Sequence, residues 1–328
     1  MAVIALPAID VHAHYLPPSY REALKRAGID RPDGFPFIPR WSAASAIELM
    51  DEIGIGLALL SISSPGLTFA PKSGRAALAR MVNEEGAAAV QDRPGRLGLL
   101  ASLPLPDVDA ALQEIEHASP ALNADGFVLM SNYDGIYLGD ERLEPVMEEL
   151  DRRHALVALH PTAPPGVDGV ALGRPTPLIE FIFETTRAVV NLILTGTLTR
   201  HRDLTVIVPH AGSALPPIAD RVRGFAKLPV AHKPFAEVDI DAALARLYYD
   251  LAGTPLPHGL PGLLRIASPD HLLFGSDTPF TPSPLIQAGV RELVETDVLD
   301  DDNKRAMFSE NAQSLLTARN AWSASPRA

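Results

Sequence analysis

Two histidines near the amino terminus have a spacing that suits the binding of one metal ion. The segment AIDVHAHYLPP, residues 8–18, places His12 and His14 at the end of an aliphatic run. Residues i and i+2 of a strand point to the same side, so both imidazoles can face one point. A single His-x-His pair is a weak signal, because histidines at strand ends also serve as hydrogen-bonded core residues. The remaining ligands must come from other parts of the chain.

Three further polar side chains stand directly after apolar runs. His160 ends LVALH, His210 follows VIVP and Asp277 follows LLFGS. If these runs are strands of one closed parallel barrel, their carboxyl ends meet at one rim. With His12 and His14 they then supply three histidines and a carboxylate for one ion, and a fourth histidine beside it. One such histidine is better explained as a cap or a core residue, whereas four with a carboxylate favour a metal site.

The composition restricts both the metal and the partners. The 328 residues include no cysteine, so disulfides and thiolate ligands are excluded. A metal must therefore bind imidazole, carboxylate and water, which favours zinc, manganese or ferrous iron. The formal net charge of −12 at pH 7 argues against nucleic acid or an anionic membrane as a partner.

The amino terminus has the features of a first strand rather than of a targeting segment. MAVIALPAID contains no basic residue, and Pro7 and Asp10 interrupt its apolar run. No stretch of the chain approaches the roughly 18 uninterrupted apolar residues of a membrane helix. The sequence therefore predicts a soluble, cytoplasmic protein.

Short apolar runs alternate with longer amphipathic segments, a pattern that is typical of βα repeats. The eight predicted strands are Val3–His12, Gly56–Ser63, Arg96–Leu103, Gly126–Ser131, Leu156–His160, Thr205–His210, Leu247–Leu251 and His271–Ser276. The predicted helices include Ser42–Ile53, Gly74–Asp92, Asp107–Ala118, Arg142–Arg153 and Pro177–Arg200. Several strands are continuously apolar, so they are expected to be buried on both faces. The pattern predicts an α/β fold, a (β/α)8 TIM barrel formed by one domain over residues 1–328, with a doubly wound sheet as the alternative.

Three long connections follow predicted strands, on the rim where a barrel carries its active site. Residues 15–40 are rich in proline and polar side chains and are interpreted as a short insertion after strand 1 that forms a lid. Residues 161–177 and 253–262 are two further connections rich in proline and glycine. The small, polar segment 318–328 is predicted to be a frayed tail.

The combined motifs resemble the amidohydrolase superfamily, in its amidohydrolase-related family 2. They are the His-x-His pair after strand 1, HP at strand 5, HAG at strand 6 and GSDTPF at strand 8. The pattern is similar to the aminocarboxymuconate-semialdehyde decarboxylase branch, which includes 6-methylsalicylate-type and γ-resorcylate-type decarboxylases. The resemblance implies that one divalent ion, with zinc favoured and manganese as the alternative, is bound by His12, His14, His160 and Asp277. It also implies that His210 is an acid/base beside that ion.

A single ion is expected because the fourth predicted strand lacks the lysine that bridges two metals in many hydrolytic members of the superfamily. The strand ends instead in Met130, Ser131 and Asn132. One metal can polarise a substrate oxygen, or lower the pKa of a bound water from about 15.7 toward 7. Both decarboxylation and hydrolysis are compatible with such a site.

The resemblance implies a carbon–carbon lyase, a metal-dependent, non-oxidative decarboxylase of a small aromatic acid such as a hydroxybenzoate or salicylate. Ala46 and Glu48 replace the arginines that hold a second carboxylate in aminocarboxymuconate enzymes, which favours a less charged acid. Two schemes stay open: Asp277 delivers the proton while His210 orients it, or His210 is the base that activates water. The first alternative function is a mononuclear metal-dependent hydrolase of a lactone or amide. The second is a barrel that keeps a metal for stability, or a non-catalytic scaffold.

Substrate-binding and supporting residues are predicted around the same motifs. Tyr15, Trp41 and Phe280 are predicted apolar walls of the site. Arg221 matches a family arginine that reaches a neighbouring subunit's site, which implies a homodimer. Core packing, or a surface ion pair for Arg221, is the alternative role of these residues. Asp250 is predicted to hold a ligand histidine through its second ring nitrogen, with ordinary loop or cap hydrogen bonding as the alternative.

Overall fold

Ten strands of the described part of the chain form a barrel and a small ribbon at its rim. The computed structural model describes residues 7–228 and 237–323, with the backbone alone for residues 318–323. In chain order the strands are β1 (Ala8–His14), β2 (Ile55–Ser61), β3 (Leu97–Ser102), β4 (Gly126–Met130), β5 (Asn132–Tyr133), β6 (Ile136–Tyr137), β7 (Leu156–His160), β8 (Thr205–Val208), β9 (Tyr248–Asp250) and β10 (Leu272–Leu273). Strands β5 and β6 pair with each other as the antiparallel ribbon.

The other eight strands form one parallel sheet in the order β1-β2-β3-β4-β7-β8-β9-β10. The sheet closes because Asp10 and Phe274 form a parallel bridge, and the Val11 N–H donates to the Phe274 carbonyl at 3.0 Å. Every residue of β1, β3, β4 and β7 is buried, as expected for strands that face helices on one side and the barrel interior on the other. The predicted (β/α)8 barrel is confirmed.

Helices alternate with the strands of the barrel. They are α1 (Pro18–Arg26), α2 (Ala43–Ile53), α3 (Lys72–Asp92), α4 (Val108–Ala118), α5 (Glu144–Arg152), α6 (Glu180–Leu194), α7 (Thr197–Arg200), α8 (Leu215–Ala226), α9 (Ile240–Ala245), α10 (Gly259–Leu263), α11 (Ser283–Glu295), α12 (Asp301–Arg305) and α13 (Asn311–Ser323). Ser42 caps α2 and Asp107 caps α4, because each side chain accepts a hydrogen bond from a backbone N–H of the first turn. Within the described ranges, no helix is both long enough and apolar enough to cross a membrane.

The long helix predicted over Pro177–Arg200 is interrupted. Helix α6 ends at Leu194 and α7 begins at Thr197, and Gly196 between them has a left-handed φ of 74°. A left-handed residue ends an α-helix because it breaks the run of right-handed backbone angles. The prediction of one continuous helix is therefore wrong.

The predicted insertion after β1 carries short elements of its own. Residues 15–40 contain α1 and a 3-10 turn over Pro32–Gly34. This turn touches the connection that follows β7, since a Cβ atom on Gly34 would lie 2.9 Å from the Cα of Pro175. The insertion therefore packs against a second loop of the same rim.

The two chain ends differ from the predicted boundaries. The predicted first strand starts at residue 3, but residues 3–6 lie outside the described residues, and β1 continues two residues past its predicted end, to His14. Helix α13 runs to Ser323, past residue 318, where the frayed tail is predicted to start. Residues 324–328 of that tail lie outside the described residues.

Candidate metal centre

Four of the predicted side chains meet at the carboxyl ends of the barrel strands. His12 and His14 lie at the end of β1, His160 is the last residue of β7, and Asp277 follows β10. One ligand atom of each residue lies within 4.8 Å of those of the other three. The three histidines are buried, whereas the Asp277 side chain is 22% exposed. The closure of the barrel thus brings together residues from both ends of the chain.

The distances between the ligand atoms suit one small divalent ion. Nε2 of His12 lies 3.1 Å from Nε2 of His14. Oδ1 of Asp277 lies 3.1 Å from Nε2 of His14 and 3.6 Å from Nε2 of His12. Two atoms that each lie about 2.1 Å from one ion, at octahedral or tetrahedral angles, are about 3.0–3.4 Å apart. Imidazole nitrogens and a carboxylate oxygen are ligands that zinc and manganese accept, so the four residues fit a mononuclear site.

Each histidine of this set uses Nδ1 for a hydrogen bond within the protein. The contacts are His12 Nδ1 to Asp250 Oδ2 at 2.9 Å, His14 Nδ1 to Ser61 Oγ at 3.0 Å, and His160 Nδ1 to the Pro161 carbonyl at 2.7 Å. Because carboxylate and carbonyl oxygens can only accept, Nδ1 of His12 and of His160 must donate. In the neutral ring Nε2 then keeps its lone pair, and this is the tautomer that binds a metal through Nε2.

Asp250 supports two members of the site at once. Its Oδ2 accepts from Nδ1 of His12, and its Oδ1 accepts from the backbone N–H of His210 at 3.1 Å and of Ala252 at 3.0 Å. The predicted contact between Asp250 and a histidine of the set is confirmed. Its link to the backbone of His210 is a feature that the sequence did not indicate.

His210 stands in a left-handed turn beside the ligand set. His210, Ala211, Gly212 and Ser213 have φ angles of 58°, 52°, 73° and 56°. Residues other than glycine rarely adopt such angles, and those that do are concentrated at functional sites. The ring centroid of His210 lies 5.1 Å from that of His12, and its Nδ1 has no hydrogen-bond partner within the described part of the chain. Burial and the charge of His12 lower the pKa of His210, so its imidazole is neutral near pH 7.

Burial and neighbouring charges determine the protonation of the ligand set. Burial lowers the pKa of His12, but the carboxylates of Asp250 and Asp277 outweigh it and raise that pKa to about 9. Burial and the neighbouring histidines lower the pKa of His14 and, more strongly, that of His160. Burial raises the pKa of Asp277, but its hydrogen bond to His14 and the charges of the histidines hold it below its ordinary value. Near neutral pH, one proton on His12 therefore competes with a metal ion.

His160 and Asp277 of the ligand set line a cavity of about 480 Å³, within the usual size range of small-molecule sites. Phe280, a predicted wall residue, lines this cavity, and its ring centroid lies 5.6 Å from that of His14. Phe35 of the insertion packs against Phe280 with ring centroids 5.4 Å apart. Further apolar lining comes from Leu178, Phe181 and Ile182. The cavity can therefore enclose an aromatic ring whose polar groups point toward the ligand set.

Tyr15 and Trp41 are not among the described residues that line this cavity. Tyr15 is fully buried, and its hydroxyl donates to the Val82 carbonyl at 2.8 Å. The Trp41 ring packs against that of Tyr15 with centroids 5.8 Å apart. Adjacent residues of an extended chain point to opposite sides, so Tyr15 faces away from the side of His14. Within this chain Tyr15 and Trp41 therefore have a packing role, which was the alternative to their predicted contact with the substrate.

Arg221 is exposed on α8 and is also absent from the described lining of the cavity. Its guanidinium lies 4.7 Å from the ring centroid of Phe225. Its predicted role at a neighbouring subunit's site, and the homodimer that this role implies, stay predictions.

Several polar or aromatic residues of the cavity were not predicted from the sequence. Among them are Asp33 and Phe35 on the insertion, and Ser63 and Ser64 after β2. Ser63 Oγ lies 3.3 Å from Nε2 of His160. The two serines follow a strand end, so the positional rule that identified the histidines could have found them. For the insertion, no periodicity indicates which residues turn toward the barrel.

Comparisons with known proteins give the family and the fold of the chain. A family model described as amidohydrolase matches residues 9–317. The chain is 34% identical over 312 residues to a 6-methylsalicylic acid decarboxylase of Penicillium expansum, with 94% of this chain and 95% of that protein covered. A solved structure described as amidohydrolase II superposes with a TM-score of 0.89 at 37% identity, over 94% of this chain and 99% of the other. A dihydroxybenzoic acid decarboxylase of Polaromonas sp. JS666, solved with manganese and the inhibitor 2-nitroresorcinol, shares the fold with a TM-score of 0.82 at 21% identity, over 97% and 99% of the two chains.

Proposed function

The chain belongs to the amidohydrolase family, and from this membership we propose that it is a carboxy-lyase that removes carbon dioxide from a small hydroxybenzoate-type acid without an oxidant. The observation that carries the proposal is the convergence of His12, His14, His160 and Asp277 beside a cavity with aromatic walls. The names of the relatives support the reaction, because the Penicillium and Polaromonas proteins are decarboxylases of aromatic acids.

The four converging side chains are the proposed holders of one divalent ion. When bound, this ion would supply positive charge that polarises the carboxylate of the substrate and its ortho oxygen. The donor set suits zinc, whereas the manganese in the Polaromonas structure favours manganese. Metal analysis of the purified protein distinguishes the two.

Two residues of the chain can move the proton that the reaction requires. The bond between the ring carbon and the carboxylate breaks, carbon dioxide leaves, and a proton that comes from solvent forms the new C–H bond. The Asp277 side chain is partly exposed, and its Oδ2 accepts from the Thr281 hydroxyl at 3.3 Å. His210 lines the same cavity with its buried Nδ1 unpaired among the described residues. We assign proton transfer to this pair, with Asp277 as the donor and His210 orienting it, or with the roles exchanged.

The apolar side of the cavity has a separate role in the proposed reaction. Phe35, Phe181 and Phe280 surround the space next to the ligand set. Aromatic walls bind the ring by contact and exclude water, which strengthens the electrostatic interactions at the reacting groups. The ring would therefore be oriented with its carboxylate toward the four ligands.

The test combines metal content with carbon dioxide release. Salicylate, 6-methylsalicylate and 2,6-dihydroxybenzoate are offered to the wild type, Asp277→Asn, His210→Gln and the control Asp30→Asn, whose side chain is exposed on the insertion. We expect about one metal per chain and carbon dioxide from at least one acid. His210→Gln should keep its metal and lose at least about 100-fold in kcat, because a proton-transfer group typically contributes that much. Asp277→Asn should lose both metal and activity, and Asp30→Asn neither.

A different set of results would support the hydrolase alternative instead. A metal-loaded wild type that releases no carbon dioxide from any of the three acids, but cleaves lactones or amides, would establish the hydrolase alternative. In that case water activation by His210 replaces proton delivery to a ring carbon.

A further inference from the structure

An acidic side chain on the insertion faces the same cavity as the ligand set. Asp33 lies in the 3-10 turn over Pro32–Gly34 and lines the cavity together with His160, His210 and Asp277. It belongs to a different segment from the ligands and is not needed to complete the donor set. The proposed reaction therefore leaves this carboxylate without a role.

The backbone holds Asp33 in one orientation over the cavity. Its φ and ψ angles are 53° and 22°, a left-handed conformation that aspartate and asparagine tolerate better than most residues. The next residue, Gly34, packs so closely against Pro175 that a Cβ atom there would lie 2.9 Å from the Cα of that proline. The turn, which is part of the insertion, is thus packed directly against the connection that follows β7.

The charge of Asp33 is not neutralised by a cation of the cavity. Burial raises the pKa of Asp33 to about 6, while a hydrogen bond from Ser64 acts in the opposite direction. Ser64 is itself held, because its Oγ lies 3.0 Å from Oγ1 of Thr162. No lysine or arginine occurs among the described residues that line the cavity. Above pH 7 the cavity therefore contains an anionic group in addition to the ligand Asp277.

We propose that Asp33 is the specificity-determining residue of the cavity, which rejects aromatic acids that carry a second carboxylate and favours those with a neutral hydrogen-bond donor on the ring. The inference rests on the proposed decarboxylase function. A substrate bound with one carboxylate at the four ligands turns the rest of its ring toward the apolar walls and the insertion. A carboxylate at that end meets the Asp33 carboxylate, whereas a hydroxyl donates a hydrogen bond to it.

The physical basis is the low polarity of the surrounding walls. Like charges that face each other across a desolvated contact repel each other strongly, and a carboxylate with a single hydrogen-bond donor gains from a second one. Discrimination by repulsion of the wrong ligand is a common route to specificity. Removal of the charge should therefore improve the poor substrates more than it impairs the good ones.

The test uses acids that differ at one ring position only. The matched pairs are 2,4-dihydroxybenzoate with 4-carboxysalicylate, and 2,5-dihydroxybenzoate with 5-carboxysalicylate. Values of kcat and KM for carbon dioxide release are measured for metal-loaded wild type, Asp33→Asn and the control Asp30→Asn. Asparagine keeps the size and the tolerance of a left-handed backbone but removes the charge. A second variant, Asp33→Gly, suits the positive φ and covers the case in which the asparagine variant does not fold.

We expect the wild type to prefer the hydroxyl member of at least one pair. In Asp33→Asn that preference, as a ratio of kcat/KM values, should fall at least about tenfold, mainly through a lower KM for the dicarboxylate. Asp30→Asn should keep the ratio of the wild type. A ratio in both Asp33 variants within about twofold of the wild-type value would overturn the inference while the decarboxylase function stands. A wild type that releases carbon dioxide from no hydroxybenzoate would overturn the proposed function and this inference together.

Discussion

Individual side chains of the candidate metal centre are oriented by partners that lie outside the ligand set. His12 is held by Asp250, His14 by Ser61, and His160 by the carbonyl of Pro161. Such partners fix the ring tautomer and spare the protein the cost of ordering the ligands when metal binds. Asp250 makes more of these supporting contacts than the other partners, because it also accepts a hydrogen bond from the backbone N–H of His210.

The substitution Asp250→Asn should weaken metal binding without unfolding the protein. An amide cannot supply the negative charge that supports His12, so we expect the metal Kd to rise about 10–100-fold. Competition with a chromophoric chelator measures this constant, and far-UV circular dichroism reports the fold. The control is Asp270→Asn, an exposed aspartate outside the site, which should bind metal as the wild type does. Equal Kd values for the two variants would contradict the supporting role of Asp250.

Metal affinity should increase with pH because of His12. The pKa of His12 is raised to about 9, whereas those of His14, His160 and Asp277 are lowered, so near pH 7 only His12 carries a proton that a metal must displace. Affinity is therefore expected to rise as the pH approaches 9 and to level off above it. Calorimetry at pH 7 in buffers of different ionisation enthalpy should show release of about one proton per metal. Asp250→Asn removes the main cause of the raised pKa of His12, so this variant should release fewer protons per metal.

The position of the site depends on the ends of the barrel strands and on how closely neighbouring strands pack. The ligands stand at or just after the carboxyl ends of β1, β7 and β10, so their mutual distances depend on how closely the strands approach. A Cβ atom on Gly126 of β4 would lie 2.3 Å from the backbone carbonyl oxygen of Leu156 in β7. A backbone atom cannot move aside as a side chain does, so a glycine is required at this position.

Gly126→Ala should destabilise the barrel. Overpacking of this kind costs about 1–3 kcal/mol of the free energy of unfolding, and contact with backbone puts the effect at the upper end. Gly224→Ala is the control, because Gly224 lies in α8 and, apart from its neighbours in that helix, no atom of the described residues lies within 4 Å of a new Cβ. Alanine is the better helix former, by about 0.5–1 kcal/mol. Urea unfolding of both variants measures this difference in stability. Equal midpoints would show that β4 and β7 can move apart without a loss of stability.

At the scale of the whole molecule, the closed barrel has its own hydrophobic core and does not depend on the ligand set. The strands of the barrel bury apolar residues on both faces, and the histidines have hydrogen-bond partners in the protein. Structural zinc sites differ, because there the metal supplies the folding energy. The fold is therefore expected to persist when the metal is removed.

Chelation should lower the melting temperature and abolish carbon dioxide release while the secondary structure remains. A metal present at 100 times its Kd stabilises the folded state by about 2.7 kcal/mol, so its removal should shift the transition by several degrees, and its addition should restore it. Thermal melts and far-UV circular dichroism of chelated and reloaded protein provide the measurement. Loss of the circular dichroism spectrum on chelation would instead favour a metal kept for stability.

Much of the architecture follows from local rules that a sequence displays. Continuous apolar runs that alternate with amphipathic segments predict a parallel barrel, and the barrel is observed. Polar residues after such runs then predict a common rim, which is why His12, His160 and Asp277 could be grouped although they lie far apart in the chain. Asp250 was predicted by the same rule, as a partner of a ligand histidine.

The tertiary structure alone decided which side chains surround the site. Tyr15 turns into the packing against α3, and Asp33 turns over the cavity, although both lie within residues 15–40. The break of the predicted helix at Gly196 and the left-handed turn at His210 were likewise not indicated. The physical reason is the range of the interactions. Strand and helix periodicity arises between near neighbours in the sequence, whereas the path of a loop is set by contacts with distant segments, such as that between Gly34 and Pro175.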